Sequence, residues 1–252
     1  MNRFKFFLIF QFLITTIFLF SCSKASDRRC FKTSGNIVVR TFEVNGFTSL
    51  KLHKFIRFIL VPDTVDYVEV QAGKNLINFV NITSEGGILE ISNRNTCDFL
   101  RSWKRDVSVF VHAKKINNIY FDGTETLTSS DTLRTDFLTF HQQDGSGNVD
   151  LFVRSFVLQS SQTNSAGNLS IHGFTDYLKV ETNGLSSLDT KNLVVKDSIR
   201  FVQNSLKEIL LNANLTALYG DINNSGAVKY FGSPSLIGVN IIGSGKLIQL
   251  ND

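Results

Sequence analysis

The chain has 2 prolines, 1 tryptophan, 3 cysteines and a single methionine, at its start, among 252 residues. It contains no Cys-x-x-Cys pair and no His-x3-His spacing, so no metal site is expected. It contains no Gly-x-Ser-x-Gly elbow and no Gly-Lys-Ser/Thr phosphate loop, which removes the usual signatures of serine hydrolases and nucleotide-binding enzymes. No cofactor is implied by any motif. No segment holds a 3.6-residue amphipathic period beyond two turns, and the best helical stretch is Phe99 to Lys104. The two signs of charge nearly balance, with 26 Lys and Arg against 22 Asp and Glu. The formal net charge of +4 falls to about +2 once Arg3 and Lys5 are discounted as part of a leader. Two small basic groups, Lys51–Lys54–Arg57 and Arg101–Lys104–Arg105, read as solvated faces, and neither is the clustered basic footprint nucleic acid requires.

There is one long apolar run, from Phe6 to Phe20, preceded by Arg3 and Lys5 and followed by Leu19-Phe20-Ser21-Cys22. A basic start, an apolar segment short for a membrane span and small residues at its end describe a secretory leader. Leu-x-x-Cys is the pattern of a lipobox, in which the Cys22 thiol accepts lipid after cleavage. The expectation is a leader over 1–21, a polar tether over 22–34 and a mature chain that begins at Cys22 and is held to the membrane by lipid on that residue. This points to an outer-membrane lipoprotein, facing either the periplasm or the exterior. In that oxidising setting Cys30 and Cys97 can pair. The bridge would close a loop of about 67 residues and stabilise the fold by up to ~4 kcal/mol; two free thiols are the alternative.

With 23 phenylalanines and abundant Ile, Val and Thr, the remainder favours strands. Ile37–Val44, Leu50–Val61, Tyr67–Val70 and Ile88–Ile91 alternate with period two; Asn45-Gly46 and Gly86-Gly87 mark tight turns, the latter between neighbouring strands. From about residue 106 a weak repeat takes over. Turns rich in Asn, Asp, Ser and Gly fall at Asp144–Gly147, Asn164–Gly167, Thr182–Gly184, Gln203–Ser205, Asn223–Gly226 and Gly243–Gly245. They recur at intervals of about 20 residues, the length of one β-solenoid rung. Stacked rungs would line an interior with Val149, Leu151, Leu169, Ile171, Leu178, Val180, Leu193 and Val195, and Asn and Gly would recur because the turns demand positive φ. The fold expected over 35–252 is all-β: a strand-rich part over 35–105 and a repeat over 106–250, with a β-sandwich as the alternative.

Chemistry is thinly represented. A polysaccharide-cleaving site on such a scaffold needs carboxylates converging from adjacent rungs. Asp122, Asp144 and Glu125 have the right offset, but the two aspartates sit in turns where Asp commonly bonds its own backbone. No catalytic residue is assigned. The histidines, His53, His112, His141 and His172, are scattered singly and read as surface residues. Trp103 between Arg101 and Arg105 is a candidate ligand surface for a glycan or protein, with packing under its loop as the alternative. Asp63-Thr64, Asp131-Thr132 and Asp197-Ser198 resemble the O-glycosylation acceptor pattern of exported Bacteroidetes proteins.

Cys30-Phe31-Lys32-x-x-Gly35, Phe47-x-x-Leu50 and Ala72-Gly73-Lys74-Asn75-Leu76-Ile77 follow one another in the first part of the chain. Gly87-x-Leu89-x-Ile91, Asn93-x-Asn95-x-Cys97 and Leu100-Arg101-Ser102-Trp103-Lys104 come next, and Gly226-x-Val228-x-Tyr230-x-Gly232-x-Pro234 and Gly243-Ser244-Gly245-Lys246-Leu247-Ile248 end the series. In order and spacing these resemble the putative auto-transporter adhesin family, the head GIN domain, over about residues 30–250, and in particular its lipoprotein members from Bacteroidetes-type bacteria. The resemblance implies a right-handed β-helix-like body at the cell envelope, an adhesive rather than enzymatic role and no catalytic residues. The chain departs from the pattern at Asp122-Gly123-Thr124, where a Gly-Ser-Gly turn is expected.

Overall fold

The structure is a computed structural model that describes residues 33–95 and 107–251. It forms twenty strands and no α-helix among those residues, which excludes the sandwich: the pairing is that of a parallel β-solenoid of about seven turns. The strands are β1 (Ile37–Glu43), β2 (Ser49–Leu52), β3 (Arg57–Pro62), β4 (Tyr67–Gly73), β5 (Val80–Glu85), β6 (Ile88–Asn93) and β7 (Ser108–Ala113). They continue with β8 (Asn118–Phe121), β9 (Leu127–Ser129), β10 (Leu133–Arg134), β11 (Phe137–Gln143), β12 (Val149–Thr163), β13 (Asn168–Gly184) and β14 (Ser187–Thr190). The last are β15 (Leu193–Ser205), β16 (Ile209–Asn212), β17 (Ala217–Ile222), β18 (Val228–Phe231), β19 (Leu236–Ile241) and β20 (Leu247–Gln249).

Three walls follow from the pairing. The first stacks β3, β9, the start of β12, the start of β13, β14, β16, β18 and β20, all parallel. A short second wall holds β10, Val153–Ser155, Gly173–Thr175 and Leu193–Val195. The third runs β2, β8, β11, the ends of β12, β13 and β15, then β17 and β19. Register partners lie one turn period apart along the chain, as Leu169–Leu188 and Leu127–Val149 illustrate, in line with the spacing of the turns in the sequence. Because side chains alternate across each strand, every second residue falls into an inner column. Phe58, Leu127, Val149, Leu169, Leu188, Ile209 and Val228 form one, all at most 2% exposed. The eight interior residues expected from the repeat are all buried. A polar column accompanies them: Gln142 donates to the Gly147 carbonyl at 2.8 Å, Gln162 donates to the Gln142 side chain at 3.0 Å, and Gln203 donates to the Lys207 carbonyl at 2.6 Å. Each glutamine thus satisfies backbone or side-chain groups at a corner that the ladder leaves unpaired.

The reason for the turn glycines is partly different from that expected. Asp144 (φ 54°), Asn164 (φ 51°) and Gly184 (φ 73°) do hold positive φ. Gly147 and Gly167, later in the same turns, do not; there a Cβ would lie 1.9 Å from the Glu125 carbonyl oxygen and 2.3 Å from that of Gly147. Close approach of successive rungs, not φ, excludes a side chain at these two positions.

The strands between Ile37 and Asn93 join the same stack. β7 lies parallel beside β3, and β6 beside β2. The stack then ends in antiparallel strands, with β4 on β7, β1 on β4 and β5 on β6. Two local readings change. Asn45-Gly46 is no hairpin, since β1 pairs with β4. The strand before the Gly86-Gly87 turn is β5, reached through a 3-10 turn at Ile77–Phe79, rather than the strand at Tyr67–Val70.

Candidate functional site

Cys22, Cys30, Cys97, Arg101, Trp103, Arg105 and the helical stretch Phe99–Lys104 lie outside the described residues. The carboxylates weighed as acid and base lie within them: Asp144 holds a positive-φ turn position, and the side chains of Asp122 and Glu125 are engaged in structural contacts. Asp122 does not cap its own turn; its Oδ2 meets His53 Nδ1 at 2.8 Å, and His53 Nε2 meets Glu90 Oε1 at 3.0 Å. His53 therefore clamps a carboxylate on each side across the third wall. Glu125 Oε2 accepts the Phe55 backbone N–H at 2.7 Å and the Thr124 hydroxyl at 2.6 Å. Phe55 occupies φ 67°, a conformation costly for a bulky residue, and Asn93 donates to its carbonyl at 3.2 Å. Glu125 and Asn93 together hold this corner between β2 and β3. A cavity of about 350 Å³ opens beside it, lined by Lys51, His53, Tyr120, Asp122, His141 and Asp144 among others. Tyr120 stacks on His141 with centroids 5.0 Å apart, and burial holds the His141 pKa below its ordinary value. No group of three metal-ligating side chains is present among the described residues.

The histidines are not isolated. His112 Nδ1 meets Asp63 at 2.9 Å under a Tyr67 ring stacked 3.9 Å away, and His172 Nε2 meets Asp150 at 2.9 Å beside the Phe152 ring. The hydrogen bond from His112, with the Thr64 N–H, holds the Asp63 carboxyl below the usual carboxylate range. Of the three O-glycosylation candidates, Thr64 and Thr132 follow aspartates that accept their N–H groups at 2.6 Å, while Ser198 lies half-buried within β15. Lys51, Lys54 and Arg57 are exposed, as expected of a solvated face.

Sequence reasoning missed the outer aromatics. Phe137, Phe156 and Tyr177 stand 59%, 49% and 40% exposed on three successive rungs. Phe156 meets the other two edge-to-face, at 6.4 Å and 5.3 Å between centroids. Their spacing along the chain is the turn period itself, so the signal was present. It becomes readable only when the repeat is applied to outward positions as well as to the core.

A parallel solenoid with antiparallel strands at its N-terminal end and aromatic rows on its outside defines a class of repetitive β proteins. Within that class, residues 46–234 match the family described as "Putative auto-transporter adhesin, head GIN domain", and the chain belongs to this family. Among solved structures it is similar to a putative adhesin of Bacteroides fragilis NCTC 9343, at 16% identity and a TM-score of 0.79 over 87% of this chain and 100% of that one. It is similar also to a putative lipid binding protein of Parabacteroides distasonis ATCC 8503, at 17% identity and a TM-score of 0.64, covering 87% of this chain and 99% of that one. A putative adhesin of Parabacteroides merdae ATCC 43184 shares 16% identity at a TM-score of 0.63, over 87% and 98% of the two chains. At these identities the likeness establishes the fold. No curated protein matches the chain.

Proposed function

We propose that the chain is a lipid-anchored envelope protein that binds its ligand through the outer faces of the solenoid and carries no catalytic activity. The observation that carries the binding role is the row Phe137–Phe156–Tyr177: apolar rings kept in water on a rigid frame, where burial would stabilise each by ~1.5–3 kcal/mol. The engagement of Asp122 by His53 and of Glu125 by the Phe55 backbone argues against a free acid–base pair. The names of the structural relatives, adhesin and lipid binding protein, are in keeping with a binder. The leader and the Leu-x-x-Cys pattern support lipid on Cys22 as the membrane attachment, with Cys30 and Cys97 left to pair with each other. The test is an array of glycans and matrix proteins probed with the purified full chain. Specific binding is expected; silence across the array would overturn the reading. New reducing ends or unsaturated products from a polysaccharide panel would instead establish an enzyme. Mass spectrometry of the native protein should find a diacylglyceryl group on Cys22, and protease shaving of intact cells would assign the side of the membrane.

A further inference from the structure

A groove of about 510 Å³ runs beside the aromatic row, along the stacking direction. Lys114, Lys115, Arg134, Arg154, Phe156 and Phe174 line it, drawn from four successive rungs, so it extends over three rung steps of ~4.8 Å each. Its charge is unbalanced. Lys115 is taken by Asp136 at 2.9 Å, and Asp176 lies 4.0 Å from Lys196. Among the described residues no carboxylate comes within ion-pair distance of Lys114, Arg134 or Arg154. Arg134 and Arg154 are register partners on adjacent parallel strands, both exposed, so like charges face one another across one rung, an arrangement that destabilises a sheet. Phe174, the next residue in that row, lies under the Arg154 guanidinium at 5.7 Å and holds it in place over the groove.

We infer that this groove binds an anionic polysaccharide, one bearing uronate carboxylates or sulfates, laid along the stack. This rests on the binding-module reading and names the ligand class it takes. The guanidinium forks of Arg134 and Arg154 match carboxylate or sulfate oxygens two at a time, and an anion between them relieves their repulsion. The rings of Phe137, Phe156 and Tyr177, set edge-to-face along the row, offer exposed apolar surface to the C–H groups of sugar rings. The two arginines lie one rung apart, ~4.8 Å, close to the length of one sugar unit, and the rings continue onto the third rung, so one chain can meet charge on two successive steps and a ring on three. An acidic polypeptide supplies the charge without the apolar C–H surface of a sugar ring. An anionic membrane is a broad surface and calls for a broad basic face, whereas the cations without an acidic partner here are confined to Lys114, Arg134 and Arg154 and sit beside Asp136 and Asp176.

The test measures binding of the full chain, in detergent, to hexagalacturonate, to its methyl ester and to heparin oligosaccharides. The acid forms should bind at least tenfold more tightly than the ester and lose affinity as salt rises. R134Q and R154Q should each weaken binding by about tenfold, and F137A by several-fold, with circular dichroism unchanged because all three side chains are exposed. Equal binding of acid and ester, or an R134Q/R154Q double variant that binds like the parent, would overturn the inference. So would polyglutamate competing as well as polygalacturonate, or anionic vesicles binding in an Arg134-dependent way. Binding of neutral glycans or matrix proteins without acidic glycans would remove this inference and leave the binding-module reading standing; silence toward every probe would remove both.

Discussion

The two ends of the solenoid are built from the same walls and finished differently. At the N-terminal end, β4 and β1 turn antiparallel on β7, and β5 turns back on β6. These outer strands carry Arg40, Glu43 and Glu85, charges that discourage further pairing. Among the described residues the rung farthest toward the C-terminal end is β19 and β20, neither of which contains a charged residue. Leu236, Ile237 and Ile241 of β19 are 54%, 46% and 51% exposed, and Ile242 just beyond it 68%. One wall position can thus be core or surface depending only on whether a further rung covers it. Ile222 is fully buried, whereas its register partner Ile241, one rung on, is half-exposed. In a repeat structure each rung draws its stability from its neighbours, so a rung with one neighbour is the least stable.

The largest test of this contrast is core truncation. Phe58→Ala, at 0% exposure beside the capped end, should cost about 3–5 kcal/mol in urea unfolding, whereas Ile241→Ala should cost under about 1 kcal/mol. Comparable losses would mean that the last rung is covered. Next comes the glycine pair. Gly147→Ala pushes a Cβ to 1.9 Å from a carbonyl oxygen in mid-stack and should destabilise by roughly 1–3 kcal/mol. Gly245→Ala makes a similar clash, at 2.5 Å from the Gly226 oxygen, but in a rung free to shift, so its cost should be the smaller.

Acid response should divide the molecule in the same way, because no histidine follows His172. Asp63 has its folded pKa depressed, chiefly by the His112 hydrogen bond. Its contribution to stability is present above the unfolded carboxylate pKa and is lost as pH falls through the lower folded value. In His112→Gln the Asp63 titration, followed by carbon NMR, should move up toward the ordinary carboxylate range. Burial depresses the folded pKa of His141, so folding favours its neutral form. That preference is complete above the unfolded imidazole pKa and is lost as pH falls from there through the folded value, and His141→Gln should flatten the loss. The smallest effect on stability is expected from Ile237→Lys with Ile241→Lys. Both sites are half-exposed, so unfolding should hardly change, while self-association in sedimentation should fall if the bare edge pairs.

The rungs were legible because their signals are local. Asp144, Asn164 and Gly184 mark one corner by residue type, and Leu169 and Ile171 mark an inner face by alternation. The clamp of His53 between Asp122 and Glu90 was not legible, since its partners are distant along the chain and reach it through strands whose pairing no local pattern states. The groove lay between these cases. Arg134 and Arg154 are one period apart, yet nothing in the sequence says that neither finds a carboxylate. Alternation and turn chemistry act within a few residues, so they suffice to specify a β chain folded in turns of regular length. Where the stack is capped, and which outward side chains become neighbours, depends on the lateral order of strands that are distant along the chain, and that order exists only in the folded molecule.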